Sequence, residues 1–363
     1  MGQRSFVPVI HGATGERADE QDTVMAAEAV AASLRRLGYR TQVIGLGLDL
    51  RPVKRLAERH PLAVFNLVEA LDTDCRTAAL VPAMLDRLGL AYTGSRFEAL
   101  TATASKLRVK QLLAYAGLPT PAWSKSGEGL DPSTRVIVKS VDEHASVGID
   151  QGSIVPAGEA AAEILRRERL FGGSFFAETY VEGREFNISL IAGASGGVEV
   201  LPMPEIVFDG YGADRERIVD FDAKWNETSY EYHHTPRLFG VEAREPGLAA
   251  ELKRIVMACW DLFGIDGYAR VDLRVDAAGR PSVIDINTNP CISPDAGLAA
   301  AAAESGLPYD ALVGRVVDRA AIGRGKPATE LPQAVSAIVL PAEVGIGPLA
   351  RRAKAATRRA RVG

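Results

Sequence analysis

The sequence has little of what several protein classes require. Its three cysteines, Cys75, Cys259 and Cys291, stand far apart without a CxxC pair, and its five histidines are scattered. Neither a disulfide framework nor a structural zinc site is expected. No stretch approaches the ~18 apolar residues of a membrane span. The opening MGQRSFVPVIHG lacks the apolar run of a secretory leader, and Phe6 stands where a myristoylation signal needs Ser or Thr. No P-loop of the form GxxxxGK[ST] occurs. Charge of one sign is lacking too: 42 basic against 46 acidic residues leave a net −4, unlike the basic balance of a nucleic-acid binder. What remains is a chain of 363 residues, 47% hydrophobic and 24% charged, able to bury real cores in roughly two to three domains. The expectation is a soluble, cytoplasmic protein with no membrane partner.

The first hundred residues alternate short apolar runs with helical periodicity. Phe6–Ile10 reads as a strand ending in a turn at 11–15. A helix follows with Val24, Ala27, Ala31 and Leu34 on one stripe, Arg35 and Arg36 in its last turn, and Gly38 as its stop. Strands at 41–45, 62–68 and 90–93 alternate with helices at 53–59 and 79–88. This alternation predicts a parallel sheet with right-handed crossovers. Gly45-Leu46-Gly47 has no third glycine three residues on, so the dinucleotide fingerprint fails. One helix is expected over 98–115, stopped by Gly117 with Pro119 and Pro121 beyond. Strands at 135–139, 175–180, 185–191, 268–275 and 282–287, with glycine-bearing loops and a helix at 248–263, then predict antiparallel α+β structure. That helix turns Leu252, Ile255, Val256 and Cys259 inward. Residues 351–363 hold six basic residues and no acid. They read as a solvated tail, with contact to RNA, anionic lipid or an acidic partner as the rival reading.

The chemistry concentrates in GYARVDLRVDAAGRPSVIDINTNP, residues 267–290. Read as a hairpin, its first strand puts Arg270, Asp272 and Arg274 on one face, with Val271 and Leu273 on the other. Its second strand groups Asp285 with Asn287, with Ile284 and Ile286 opposed. One register sets Asp272 beside Asp285, and a slip of one residue separates them. Facing carboxylates repel unless a cation compensates. Two carboxylates and an amide oxygen are hard ligands suited to Mg²⁺ completed by phosphates and water. The rival is a solvated polar face. Such a metal points to a nucleotide, whose phosphates, without a P-loop, need lysines and another loop. The candidates are Lys106, Lys139 at the end of VIVK, and Lys224 in DFDAKWNETSYEY. The stretch 144–148 is small enough to lay backbone N–H groups over phosphates.

Taken in order, several motifs make the sequence resemble the ATP-grasp superfamily, and within it the D-alanine–D-alanine ligase-like enzymes. They are GxxxER at Gly12–Arg17, LAYTGS at Leu90–Ser95, SKLRVKQLLAYAGLPTP at 105–121, VIVKSVDEHASVGI at 136–149, AETYVEGREFNISL at 177–190, DAKW at 222–225, and RVD followed by DINTNP. The resemblance covers about residues 5–320. It implies an α/β plus α+β architecture: a Rossmann-like N-terminal (pre-ATP-grasp) domain over 1–97, then a two-subdomain ATP-grasp fold over 98–183 and 184–325, then a basic tail at 326–363. It also implies an ATP-dependent carboxylate–amine ligase that works through an acylphosphate, using ATP and Mg²⁺ or Mn²⁺. Its partners would be two small molecules, amino acids or a short peptide, and similar enzymes are often homodimers.

Carried over residue by residue, the resemblance assigns Lys106 and Lys139 to the phosphate and adenine sides of ATP. Glu178, Tyr180 and Val181 fall on the hinge strand that meets adenine, and Glu185 at the ribose. Ser146, Val147 and Gly148 form the phosphate-covering loop, with Lys224 near the γ-phosphate. Asp272, Asp285 and Asn287 hold two metal ions. Arg270, with the backbone N–H near Cys291, stabilises the oxyanion, and Glu16 grips the ammonium of the first amino acid.

The amino-acid half of the family pattern departs from expectation. Ala145 and Trp225 stand where Ser and Tyr are usual, Glu69 where His is, Cys291 where Gly is, and Ala296 where Ser is; Asp285 replaces a usual Glu. Exchanging hydroxyl for methyl at a site built to hydrogen-bond a substrate changes what it accepts. Glu69 suits either a basic substrate or an internal salt bridge. His144 meets phosphate or solvent, Trp225 shields the reacting phosphate or joins the core, and His233-His234 lie at the surface. Cys291 is read as a small packing residue, since acylphosphate chemistry needs no thiol. The leading expectation is a ligase of the same chemistry with altered substrates. The rivals are a true D-alanine–D-alanine ligase, a decayed nucleotide-binding regulator, and a basic-tail nucleic-acid binder.

Overall fold

The computed structural model describes residues 5–13, 18–143, 145–193 and 197–322. The strand Val9–Gly12 pairs in parallel with Val43–Leu46 on one side and Phe65–Asn66 on the other. The helix Ala18–Arg36 crosses between the first two and buries the expected stripe, with Ala27, Val30, Ala31 and Leu34 fully inside. Each Val or Leu buried this way contributes ~1.5–3 kcal/mol. Gly38 ends the helix region at φ 90°, a conformation that side chains avoid. The strand expected at 90–93 reduces to one bridge, Val64 to Tyr92.

The helix expected over 98–115 is two helices, Phe97–Thr103 and Lys106–Tyr115. Ser105 between them is extended, and the Lys106 N–H donates to Val141 O at 2.9 Å instead of to a carbonyl four residues back. Thr103 Oγ1 donates to its own Ala99 O and meets Thr288 Oγ1 at 2.9 Å. A partner distant in sequence therefore breaks a helix whose local pattern is continuous.

Two antiparallel sheets follow. The smaller runs Trp123–Ser124, Phe175–Thr179, Arg135–Ser140, Ile154–Pro156, with the helix Ala160–Phe171 packed on it through Ala160 and Ile164. The larger runs Arg237–Leu238, Glu205–Ile206, Gly183–Ala192, Tyr268–Asp276, Pro281–Asn287, and Val198–Val200 joins it beside Gly183–Ala192. The helix Pro246–Leu262 covers it with Leu252, Ile255, Val256 and Cys259, all at 0% exposure. Val109, Leu112 and Leu113 of the broken helix pair join that same core.

The last described helices, Gly297–Glu304 and Tyr309–Ile322, turn back onto the first: Leu298, Leu312 and Val316 share a core with Val30, Leu34 and Tyr268. Gly267, at φ 73°, lies so close to Gly94 that an added Cβ would be 2.8 Å from its backbone. The parallel unit and the large sheet thus meet backbone to backbone.

Candidate active site

A cavity of about 570 Å³ opens where both antiparallel sheets face the ends of the first unit, represented by Asp22 and Glu69. Lys106, Lys139, Ser146, Val147, Glu178, Tyr180, Val181, Glu185, Lys224, Arg270, Asp272, Asp285 and Asn287 all line it. Gly148 does not: it lies behind the wall, where its φ of 70° and the Phe175 ring leave no room for a side chain. Glu16, Arg17, His144 and the basic tail lie outside the described residues.

The hairpin decides the floor. Asp272 pairs with Asp285 and Arg270 with Asn287, but nearer the turn Leu273 pairs with Val283. Ile284 is therefore an extra residue, a β-bulge, and the strict alternation expected from the sequence fails there. Val283 and Ile286 both reach the core, while Ile284, Asp285 and Asn287 all line the cavity. The bulge carbonyls find a partner outside the ladder: Lys110 Nζ donates to Val283 O at 3.1 Å and Ile284 O at 3.3 Å. Beside the paired carboxylates, the Arg270 guanidinium grips Asp272 in a fork, Nε–Oδ1 2.7 Å and Nη2–Oδ2 2.9 Å. Its Nη1 makes no hydrogen bond to a described residue. Burial works against the Arg270 charge, but Asp272 outweighs it and raises the pKa above the ordinary arginine value.

Two buried charge clusters hold the walls. Glu178 receives Lys110 at 2.6 Å and Lys139 at 2.5 Å, all three side chains being at most 9% exposed. Burial penalises the Glu178 charge, yet the two ammonium groups hold its pKa below the usual carboxylate value. Burial lowers the Lys110 pKa. Arg274 binds Glu185 Oε2 at 3.0 Å, Val181 O at 3.1 Å and Tyr180 Oη at 3.2 Å. One guanidinium thus orients three residues assigned from sequence to the nucleotide.

The loop over the cavity is also fixed. Ala145 and Ser146 adopt positive φ, 59° and 62°. Ser146 Oγ donates to Val219 O at 2.9 Å, and Trp225 Nε1 donates to Ala145 O at 2.9 Å. The two positions where the family hydroxyls are missing are thus joined by an indole-to-carbonyl bond. Beneath, the fully buried Arg167 donates to Gly148 O at 2.5 Å and pairs with Asp150 and Glu163. Lys224 nearby has its pKa pushed down to about 8, by burial first and then by Arg270.

At the other end stand Glu69, Asp22, Cys291 and Ala296. Cys291 Sγ donates to Asp22 Oδ2 at 3.1 Å and meets Ser293 Oγ at 3.1 Å. Burial raises its pKa, so the thiol keeps its proton and is no nucleophile. His233 is exposed as expected, whereas His234 is half-buried and stacks on Tyr230 at 3.7 Å.

Sequence reasoning missed Lys110, Arg167 and the anchoring role of Arg274. Lys110 had a signal, since it lies four residues after Lys106 and shares its helix face. Arg167 had none, being one arginine among several in RRERL.

A family model described as the D-ala D-ala ligase C-terminus matches residues 132–318. A D-alanine–D-alanine ligase from a Synechococcus species is 30% identical over 334 residues, covering 90% of this chain and 96% of the relative. That from Methylococcus capsulatus is 29% identical, covering 84% and 93%. The chain belongs to the D-alanine–D-alanine ligase family. Its members are ATP-dependent ligases that form C–N bonds, and this chain is an enzyme of that class. The solved D-alanine–D-alanine ligase from Bacillus anthracis, complexed with ATP, superposes with a TM-score of 0.67 at 21% identity over 88% of this chain and 98% of that one. The fold is thus a Rossmann-like unit followed by an ATP-grasp pair, as the resemblance implied. A second relative at 30% identity, covering 80% of this chain, is protein y4sG of Sinorhizobium fredii, whose description states no activity.

Proposed function

We propose that the cavity activates a substrate carboxylate as its acylphosphate and joins it to an amine, with an amino-acid pocket altered from that of D-alanine–D-alanine ligases. One observation carries this reading. The same cavity holds a cationic set, Lys106, Lys139, Lys224 and Arg270, against Asp272, Asp285 and Asn287. The donor set fits Mg²⁺ or Mn²⁺, because two carboxylates and an amide are hard oxygen ligands that phosphates and water complete. Arg270 on Asp272 already supplies a cation there. When bound, the metal neutralises charge spread over the phosphoryl oxygens.

The chain's own residues do the rest. Lys106 and Lys139 hold phosphates, and Lys224 attends the transferred one. The Ser146–Gly148 backbone covers them, braced by Arg167, and excludes water that would hydrolyse the acylphosphate. Tyr180, Val181 and Glu185, oriented by Arg274, receive the nucleoside. Arg270 takes the oxyanion formed when the amine attacks, a role whose loss typically costs ~10²–10³ in rate. We assign these roles to units over 1–97, 98–183 and 184–325.

The altered pocket rests on Ala145, Trp225, Glu69, Cys291 and Ala296, which all line the cavity. The second reading, a true D-alanine–D-alanine ligase, is favoured by the names of the relatives. Phosphate release from ATP with L- and D-amino acids, singly and in pairs, separates them. The expected outcome is release that needs a particular pair and vanishes in Asp285→Ala. Turnover with D-alanine alone establishes the second reading.

A further inference from the structure

We infer that Arg237 is the acceptor clamp of this chain, a guanidinium that binds the carboxylate of the incoming amine substrate; the inference rests on the ligase reading above. Arg237 starts the short edge strand Arg237–Leu238 of the large sheet and lines the cavity. It belongs to none of the sequence motifs that carry the family resemblance.

Three observations converge. First, Arg237 forms no ion pair with a described carboxylate side chain; its one hydrogen bond runs from Nη1 to the backbone oxygen of Asp295 at 3.1 Å. An arginine fork committed to a single carbonyl keeps donors for a bidentate anion. Second, its Nε lies 3.7 Å from where a Cβ on Gly297 would stand. Gly297 opens the helix Gly297–Glu304, and the residue before it, Ala296, gives no side-chain cap. The free N–H groups of a helix start favour an anion, so the guanidinium and the helix end face the same space with the same sign. Third, Ala296 is the position where the family pattern expects a serine for the second substrate. The methyl group there cannot donate a hydrogen bond, and the guanidinium beside it can. Burial and then Arg270 lower the Arg237 pKa, the mark of two cations sharing one wall.

The chemistry fixes which anion. An α-amino acid carries its amine and carboxylate on one carbon. With the amine directed to the acyl carbon held near Arg270, the carboxylate falls toward the Ala296–Gly297 end. Phosphate oxygens belong to the opposite side, under Ser146 and Val147. The preferred acceptor is therefore an amino acid or peptide with a free carboxylate.

The test uses the full-length enzyme, ATP, Mg²⁺ and the donor amino acid that supports phosphate release. Three acceptors are compared: the partner amino acid, its carboxyl amide, and hydroxylamine, which has no carboxylate and traps the acylphosphate as a hydroxamate. Arg237→Gln keeps a donor for Asp295 O but removes the charge. It is expected to lower the ratio of kcat/KM for the carboxylate acceptor over hydroxylamine by ~10–100-fold, and to erase the wild-type preference for the free acid over the amide. Arg237→Lys, with charge but no fork, is expected to fall between. An unchanged ratio overturns the inference, as does a preference for the acid that survives in Arg237→Gln, or a rise in KM for ATP in its place. Absence of both hydroxamate and phosphate release in the wild type overturns the ligase reading itself.

Discussion

At Glu178 one carboxylate with 1% exposure neutralises two ammonium groups on two different elements, the helix Lys106–Tyr115 and the strand Arg135–Ser140. Lys139 reaches the cavity wall only because this carboxylate holds it in a place where an isolated charge would be expelled. Removing one member of such a buried set strands the others without compensation, which typically costs ~3–5 kcal/mol. Glu178→Gln is accordingly expected to lower the urea midpoint strongly at pH 7 and to weaken ATP binding with it. An unchanged midpoint would show that the two lysines relax to solvent. Asp285→Ala differs in kind: that side chain lines the cavity from the bulged strand, so phosphate release should vanish while the midpoint moves little. The two variants separate a residue that builds the wall from one that works at it.

Among elements, the bulged hairpin and the loop 145–148 show how secondary structure is bent to serve the cavity. The bulge at Ile284 sends Val283 and Ile286 to the core and keeps Asp285 opposite Asp272. It frees two carbonyls that Lys110 then satisfies, so the residue that supports Glu178 also supports the metal-side strand. In the loop, Ser146 and Trp225 pull from the outside and Arg167 from beneath. Arg167→Met should remove the lower anchor, at ~1–3 kcal/mol of stability for the carbonyl left unbonded. The KM for ATP should rise several-fold with little change in kcat, read from initial rates across ATP concentration. A fall in kcat at unchanged KM would mean that the loop shapes the transition state and not the bound nucleotide.

Over the whole molecule, the first helix and the last described helix are joined by the Arg36–Asp310 pair, at 2.6 Å and 2.8 Å, as well as by apolar packing. The hydrogen bonds from Arg36 lower the Asp310 pKa from 3.8 to about 2. A depressed carboxylate pKa adds stability that is present above the unfolded value and lost as pH falls through the folded one. Wild type should therefore melt above Asp310→Asn near neutrality, and the gap in Tm should close between about pH 3.8 and about pH 2. The difference is expected to be small, because both side chains are exposed and salt screens them. A gap that persists at pH 2 would assign the effect to packing of the helix end.

The amino-acid sequence by itself determined the order of elements, the parallel first unit, the antiparallel character of the rest, and most cavity-lining residues. These follow from periodicities of two and 3.6, from turn residues, and from motifs whose members lie close together in the chain. Tertiary structure decided the remainder. The break before Lys106 exists because Val141 O takes its amide, the bulge at Ile284 because core packing on one face competes with strict alternation, and the roles of Lys110, Arg167 and Arg274 because their partners lie far away in sequence. Arg237 gained its place the same way, from a short edge strand that the large sheet brings against the helix start at Gly297. Local pattern reports which face a residue prefers; only the packed chain determines which charge finds which partner.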